Sequence, residues 1–262
     1  MTPATSPLRG RALITGGSSG LGMTFARQLA DRGMDLVLVA RDRGRLDKAA
    51  AELRDRGALV EVISADLGDD ADVQAISERL GSAESPIDVF VNNAGSGLYA
   101  KMATSDASEL LAGAQLMGIA PMVLGGAAAA AMKERGAGVI INTSSMSGAV
   151  PMGAYSAIKA FVRVWSDSLA IEVAPFGVQV VTFIPGWVRT EFHARTGVST
   201  SSIPNFLWLD ADRVVAECLA DVDKGKTSST PSKRFKLVGF LAKHAPAAGV
   251  KAAVKKLNKG RR

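Results

Sequence analysis

The sequence predicts an α/β fold, one doubly wound parallel sheet with helices on both faces, and three observations predict it. Short β-branched runs alternate with longer helical patterns through the first two thirds of the chain. The strand-like runs are continuously apolar rather than alternating, as strands covered on both faces are. No break in composition divides the 262 residues, and their 47% hydrophobic content is enough for one substantial core. A single domain over residues 1–262 follows.

Taken in order, residues 11–15 (RALIT), 36–40 (LVLVA), 59–64 (LVEVIS), 88–91 (DVFV), 139–143 (VIINT) and 178–184 (VQVVTFI) read as six strands. Between them, residues 21–31, 44–56, 70–80, 105–135 and 154–174 carry apolar side chains at helical spacing. Gly33, Gly57, Gly81 and Gly136 fall just past four of these helices, where a left-handed stop is wanted. Beyond Pro185 the pattern loosens. Residues 187–209 mix Ser, Thr and Gly with Trp187, Phe192, Phe206 and Trp208, a ring content that suits a flap over an apolar pocket. Residues 210–221 then read as a helix capped by Asp210.

Composition narrows the function classes. No apolar stretch stands behind a basic start and no run approaches bilayer-crossing length, so a cytoplasmic protein is expected. The single cysteine, Cys218, has no internal disulfide partner. His193 and His244 lie far apart, which leaves a metal site without support. The net charge of +6 is unevenly placed: residues 224–262 hold twelve Lys or Arg and no acid, leaving residues 1–223 at net −6. In that tail Leu237, Phe240 and Leu241 share one helical face, and Val250, Val254 and Leu257 share another. Such faces beside lysines suit peripheral contact with an anionic membrane, or packing on the chain's own domain. No nucleic-acid module accompanies the basic residues, and no nucleic-acid partner is expected.

The segment TGGSSGLG, residues 15–22, follows the first strand and opens the first helix. Glycines there permit a sharp turn, and the free N–H groups at a helix start attract phosphate, so the placement points to a bound dinucleotide. The second strand ends in Ala40 and Arg41 rather than in an acid. Arg41 can pair with a 2′-phosphate, which favours NADP over NAD, although Asp42 stands beside it.

With TGGSSGLG at 15–22, NNAG at 92–95, YSAIK at 155–159 and PG at 185–186, the chain resembles the short-chain dehydrogenases/reductases over about residues 10–195. The resemblance implies a Rossmann-type fold and a carbonyl–alcohol interconversion by hydride transfer. It also implies roles. Gly16, Ser18, Ser19, Gly20 and Leu21 would line the pyrophosphate turn, Asp66 would contact adenine, and Asn92, Ala94 and Gly95 would support the adenosine side. Pro185, Gly186, Val188 and Thr190 would hold the nicotinamide. Tyr155 and Lys159 match the catalytic pair, both also touching cofactor, and Ser145 matches the carbonyl-orienting serine. The chemistry fits: a phenol of pKa about 10 is a slow proton donor near neutrality, and an ammonium one helical turn away favours its phenolate.

Two positions depart from the family's pattern. Met117 stands where the family offers an asparagine that holds a relay water, and Gln115 is the nearest side-chain amide. Ser145 lies ten residues before Tyr155, across a loop, GAVPMG, that is about three residues shorter than the family's; Ser144 and Ser147 are the alternatives. The sequence therefore reads as an NADP-dependent oxidoreductase acting on a moderately large apolar carbonyl or alcohol. A weakly catalytic NADP-binding sensor or scaffold is the alternative. Small-residue helices, including residues 127–131 and the helix after Tyr155, suit the close contacts of a homodimer or homotetramer.

Overall fold

The computed structural model describes residues 6–191 and 205–244, with side chains through 241. Much of the flap expected at 187–209, together with His193 and the second apolar face at Val250, Val254 and Leu257, lies outside the described residues.

Seven parallel strands form one sheet in the order β3-β2-β1-β4-β5-β6-β7. They are β1 (Arg11–Thr15), β2 (Asp35–Ala40), β3 (Val60–Ser64), β4 (Val89–Asn92), β5 (Gly138–Thr143), β6 (Val178–Phe183) and β7 (Ser228–Ser229). The first six fall within a residue or two of the apolar runs. β7 was not foreseen, because two serines carry no strand signal. They pair Ser228 with Thr182 and Ser229 with Phe183, and Asp221 holds them by accepting from Ser229 Oγ at 2.8 Å. Burial opposes ionisation of that carboxyl, but Lys226 and Ser229 keep it below the usual carboxylate range.

The helices are α1 (Gly20–Ala30), α2 (Arg43–Arg54), α3 (Asp70–Gly81), α4 (Ser108–Ala114), α5 (Ala120–Arg135), α6 (Ala154–Val173), α7 (Ala211–Asp223) and α8 (Lys233–His244). Phe25 and Leu29 of α1, Leu46 of α2 and Val215 of α7 cover one face of the sheet. Ile76 of α3, Leu124 and Ala128 of α5 and Val173 of α6 cover the other. Strand neighbours such as Val37 and Leu38 thus send alternate side chains into two separate cores, which is why both positions are apolar. Asp210 caps α7 as expected, accepting from Arg213 N at 3.0 Å.

Three expectations need correction. Gly33, Gly57 and Gly136 do take a positive φ past their helices, but Gly81 remains inside α3, which ends at extended Ser82. The long helix expected at 105–135 begins at Ser108 and contains a π-helical turn, Gln115–Ile119, between α4 and α5. That same helical span, Ser108–Arg135, is long enough and contains a stretch apolar enough to cross a membrane, contrary to the expectation that no run approaches such a length. In its second half Leu124, Ala128 and Met132 of α5 are buried.

The chain crosses from β3 at one edge back to β4 beside β1, so the carboxyl ends of β1 and β4 diverge at a switch point. A crevice opens there in folds of this kind.

Candidate active site

The crevice is built from the loops at the carboxyl ends of the strands. After β1 the chain turns at Gly16, whose φ of +68° is strained for any residue with a Cβ. The N–H groups of Gly16 and Gly17 donate to Val39 O, tying the turn to β2. A Cβ on Gly22 would stand 2.2 Å from Gly16 O, so the helix can pack against its own turn only with glycine there. Ser19 is the N-cap of α1, yet its side chain makes no capping bond and the first turn has no acid. The positive end of α1, bordered by Ser18, Gly20 and Leu21, thus carries no acid or side-chain cap of its own, which fits a pyrophosphate.

At the end of β2, Arg41 is 71% exposed and lies 3.7 Å from Asp66 Oδ2. Asp42 is committed elsewhere: it caps α2, accepting from Arg45 N at 3.0 Å, and lies 3.6 Å from Arg45 Nε. Asp66 itself accepts from Gly68 N at 2.9 Å, which fixes its carboxylate at the end of β3.

After β4 the motif divides in two. Asn92 is buried and donates to Pro121 O at 2.8 Å and Asn142 Oδ1 at 3.1 Å, so its side chain joins β4 to α5 and β5 rather than facing the crevice. Asn93 N and Ala94 N both donate to Thr15 Oγ1, at 2.9 and 3.0 Å, and Asn93 Nδ2 reaches Thr15 O at 3.1 Å. Sequence reading passed over Thr15. Its signal was a hydroxyl closing an otherwise apolar strand.

Ser145, Tyr155 and Lys159 come together after β5. Gly153 takes a φ of +98° and starts α6, on which Tyr155 and Lys159 are one turn apart. Ser145 hydrogen-bonds the Tyr155 phenol. Its Oγ also accepts from Ser147 N at 3.1 Å, capping a 3-10 turn over Met146–Ala149. The short loop closes because that turn rests directly on α6: a Cβ on Gly148 would stand 2.9 Å from the backbone at Lys159 and Ala160. Neither alternative serine shares Ser145's position. Ser144 Oγ is buried and donates to Lys159 O at 2.7 Å, while Ser147 engages Ser145 through its backbone.

The electrostatics differ from the sequence expectation. Lys159 is buried, its Nζ donating to Thr143 O at 2.9 Å and lying 5.9 Å from the Tyr155 ring centre. Burial pulls the ammonium down to about 8. Burial also pushes the Tyr155 phenol up to about 12; the Ser145 bond draws it back and the nearby Tyr99 phenol adds to the rise. Desolvation by burial thus sets the direction of both shifts. Tyr99, the other tyrosine of the chain, is a contributor that motif spacing did not reveal.

Met117 is fully buried in the π-helical turn. Its Sδ accepts from Ser96 N at 3.4 Å, and Gly95 lies between it and Lys159: a Cβ there would be 3.6 Å from Sδ and 3.9 Å from Nζ. Gln115 is not a substitute amide, because it donates to Asp70 on α3 at 2.8 Å.

After β6, Pro185 O accepts from Met146 N at 3.0 Å, linking this loop to the serine turn. Gly186 lies against the Phe235 ring, and Trp187 meets the same ring with centroids 5.9 Å apart. Val188 is buried in the core and bridges Leu209, so its side chain is not offered to a cofactor. Thr190 returns to the glycine turn, its Cβ 3.5 Å from where a Cβ of Gly20 would be. Among the described residues no group of three or more His, Cys, Asp or Glu side chains gathers.

A bare helix start after β1, an open arginine after β2 and a Ser–Tyr–Lys cluster after β5 define a dinucleotide-dependent oxidoreductase of the Rossmann class. The chain belongs to the short chain dehydrogenase family, which matches residues 11–199. It is similar to a short-chain dehydrogenase from Sphingobium yanoikuyae solved in complex with NADPH, with 34% identity, TM-score 0.81, and 97% of this chain and 96% of the other covered. A very-long-chain 3-oxoacyl-CoA reductase from Podospora anserina is 35% identical over 68% of this chain, which spans 55% of that relative's length. A galactitol 2-dehydrogenase from Rhizobium johnstonii is 32% identical over 90% of this chain and 88% of the relative.

Proposed function

We propose that this chain is an NADPH-dependent carbonyl reductase for a moderately large apolar substrate, with Tyr155 as the proton donor. The observation that carries the reading is the meeting of Ser145, Tyr155 and Lys159 at the mouth of the dinucleotide crevice. When bound, the reduced nicotinamide supplies a hydride to the carbonyl carbon. The Ser145 hydroxyl holds the carbonyl oxygen, and Tyr155 gives its phenolic proton to that oxygen as negative charge develops on it. A phenol near 12 is fully protonated at neutral pH, which suits reduction. Lys159 stands behind the phenol to hold the nicotinamide ribose and to replenish positive charge.

The choice of NADPH is supported by Arg41, which is open to a 2′-phosphate, and by Asp42, whose carboxylate is taken up by α2 rather than offered to a ribose. The similar Sphingobium protein was solved with NADPH. Relatives differ in the polarity of the compounds they are named for, so the substrate class rests on this chain's own surface. Met146, on the turn after Ser145, and Trp187, beside Gly186, are half-buried apolar side chains on the loops that carry the site, which supports an apolar substrate. A sensor without catalysis loses one of its two motives, since the shortened loop still brings Ser145 to Tyr155, while neither Met117 nor Gln115 supplies a relay amide. Exposed apolar side chains on α5 and α6, among them Val123, Val164 and Ile171, support a homodimeric contact along those helices.

Turnover of apolar ketones and of polyols, each with NADPH and NADH, tests the assignment. Tyr155→Phe should keep NADPH binding and lower kcat at least about a hundredfold, the loss of one general acid. Polyol oxidation as the faster reaction, or retained turnover in the variant, would overturn it.

A further inference from the structure

We propose that this chain binds an amphipathic monocarboxylate, an acid with a short apolar body, in a second site at the amino ends of β1, β2 and β3, the end of the sheet opposite the crevice. A hollow of about 360 Å³ opens there, within the size range of small-molecule sites. Its walls are of two kinds. Leu36, Ala58 and Val60 are buried core residues that floor it, and Leu59 stands beside them 70% exposed. Arg11, Arg54, Glu61 and Ser85 supply the polar wall. The strand register brings these together, since Leu36 on β2 is paired with Val60 on β3 and Arg11 on β1 with Asp35 on β2.

Charge singles out Arg54. Glu61 is clasped by Arg79, whose Nη2 and Nε lie 2.9 and 3.1 Å from its two oxygens. Arg11 lies 3.7 Å from Asp35 and donates to Ser85 Oγ, while Arg79 donates to Ser85 O at 2.9 Å, so this wall is set by the protein itself. Arg54 differs. Its helical neighbours three and four positions away, Ala50, Ala51, Gly57 and Ala58, are all uncharged, and among the described residues its guanidinium meets no carboxylate. Its bond from Nη2 to Val60 O at 2.6 Å pins the fork at the hollow and leaves its other N–H groups for a ligand. The carbonyls at the end of α2, which would oppose an anion if bare, are occupied: Ala51, Leu53 and Arg54 accept from the N–H groups of residues 55–58.

These features select the ligand. One uncompensated guanidinium balances one negative charge, and its planar fork matches a carboxylate bidentately. A phosphate dianion would bring a second charge towards Glu61 with nothing to meet it. The floor and the exposed Leu59 give the acid's apolar body a place out of water, each buried methylene adding to affinity. The site is separate from the crevice, because the length of a strand, about 16 Å for five residues, lies between them. Helix α2 spans that interval from Arg43, two residues past Arg41, to Arg54 at the hollow. Binding there requires no dinucleotide and no turnover, so it stands apart from the reductase assignment.

Calorimetric titration of the full chain with octanoate tests the site, with acetate, octylammonium and inorganic phosphate as comparison probes. Octanoate should bind, acetate at least about tenfold more weakly for want of an apolar body, and octylammonium and phosphate more weakly than octanoate for want of a matching charge. Arg54→Gln should lower octanoate affinity about tenfold or more, the loss of a charge-assisted fork, and Arg54→Lys should fall in between. Leu59→Ser, at a side chain largely in solvent, should lower it about threefold. Melting curves without ligand report whether each variant is folded; if Arg54→Gln is not, Leu59→Ser decides alone. No binding of octanoate, equal binding of octylammonium or phosphate, or full octanoate affinity in the folded variants would overturn the proposal, the last by placing the acid elsewhere on the molecule. Heat of binding is read without cofactor or carbonyl, so this site and the reductase assignment can each fail alone.

Discussion

Lys159 is held as an ammonium where an ammonium is costly. Its pKa falls from 10.5 to about 8 on burial, so the folded protein binds that proton less tightly than the unfolded chain does. Stability from this residue is fully present above pH 10.5 and is lost as pH falls towards 8. Tyr155 acts in the opposite sense at higher pH: its rise from 10.0 to about 12 gives stability that is present below pH 10 and lost on approach to 12. Lys159→Met should therefore raise the melting temperature at pH 7, by an amount equivalent to about 2–3 kcal/mol, while removing activity. Melting curves across pH 7–10 check the sign: the wild type should gain stability over that range and the variant should not. At this scale the motif residues were legible because YSAIK and the serine turn carry their chemistry in residue type and spacing. The direction of the Tyr155 shift was not, because desolvation depends on what covers the ring, and no local pattern encodes that.

The elements decide what a residue's neighbour is free to do. Asp42 follows Arg41 in sequence and looks like a competitor for the ribose, but α2 begins at Arg43 and takes the carboxylate as its cap. Asp42→Ala should cost about 1 kcal/mol of stability, the usual worth of a cap, and leave the cofactor preference intact. Arg41→Ala should do the reverse, raising the KM for NADPH about tenfold with little change for NADH, as initial rates with both cofactors will show. The capping role was readable from an aspartate before a helical pattern; its bearing on Arg41 was not. Two other elements escaped the sequence. The π-helical turn at Gln115–Ile119 sits in a stretch whose apolar periodicity is the same with or without an extra residue, and β7 is held by Asp221 and β6 rather than by its own composition.

For the whole molecule, the alternation of strands and helices was sufficient to predict one parallel sheet covered on both faces. Strand order was not legible from it, because the jump from β3 to β4 is a property of packing. Covering both faces consumes most apolar surface, yet Ile171 remains 79% exposed and Val164 66% exposed on the outer side of α6. Exposed groups of this size mark a contact surface. Val164→Glu with Ile171→Glu should convert the homodimer expected in light scattering into a monomer without loss of fold; a monomeric wild type would refute that contact.

Phe235 gives the C-terminal helix a second meaning. Its ring occupies the space beside Gly186 that even a methyl group would contest, so α8 serves as a wedge beneath the loop after β6. A protease that clipped the chain before residue 233 would leave β1, α1 and Arg41 in place to grip the adenosine half, while the floor under the reactive half had gone. Cofactor affinity and turnover, normally lost together, would separate, and the truncated chain would sequester its dinucleotide rather than use it.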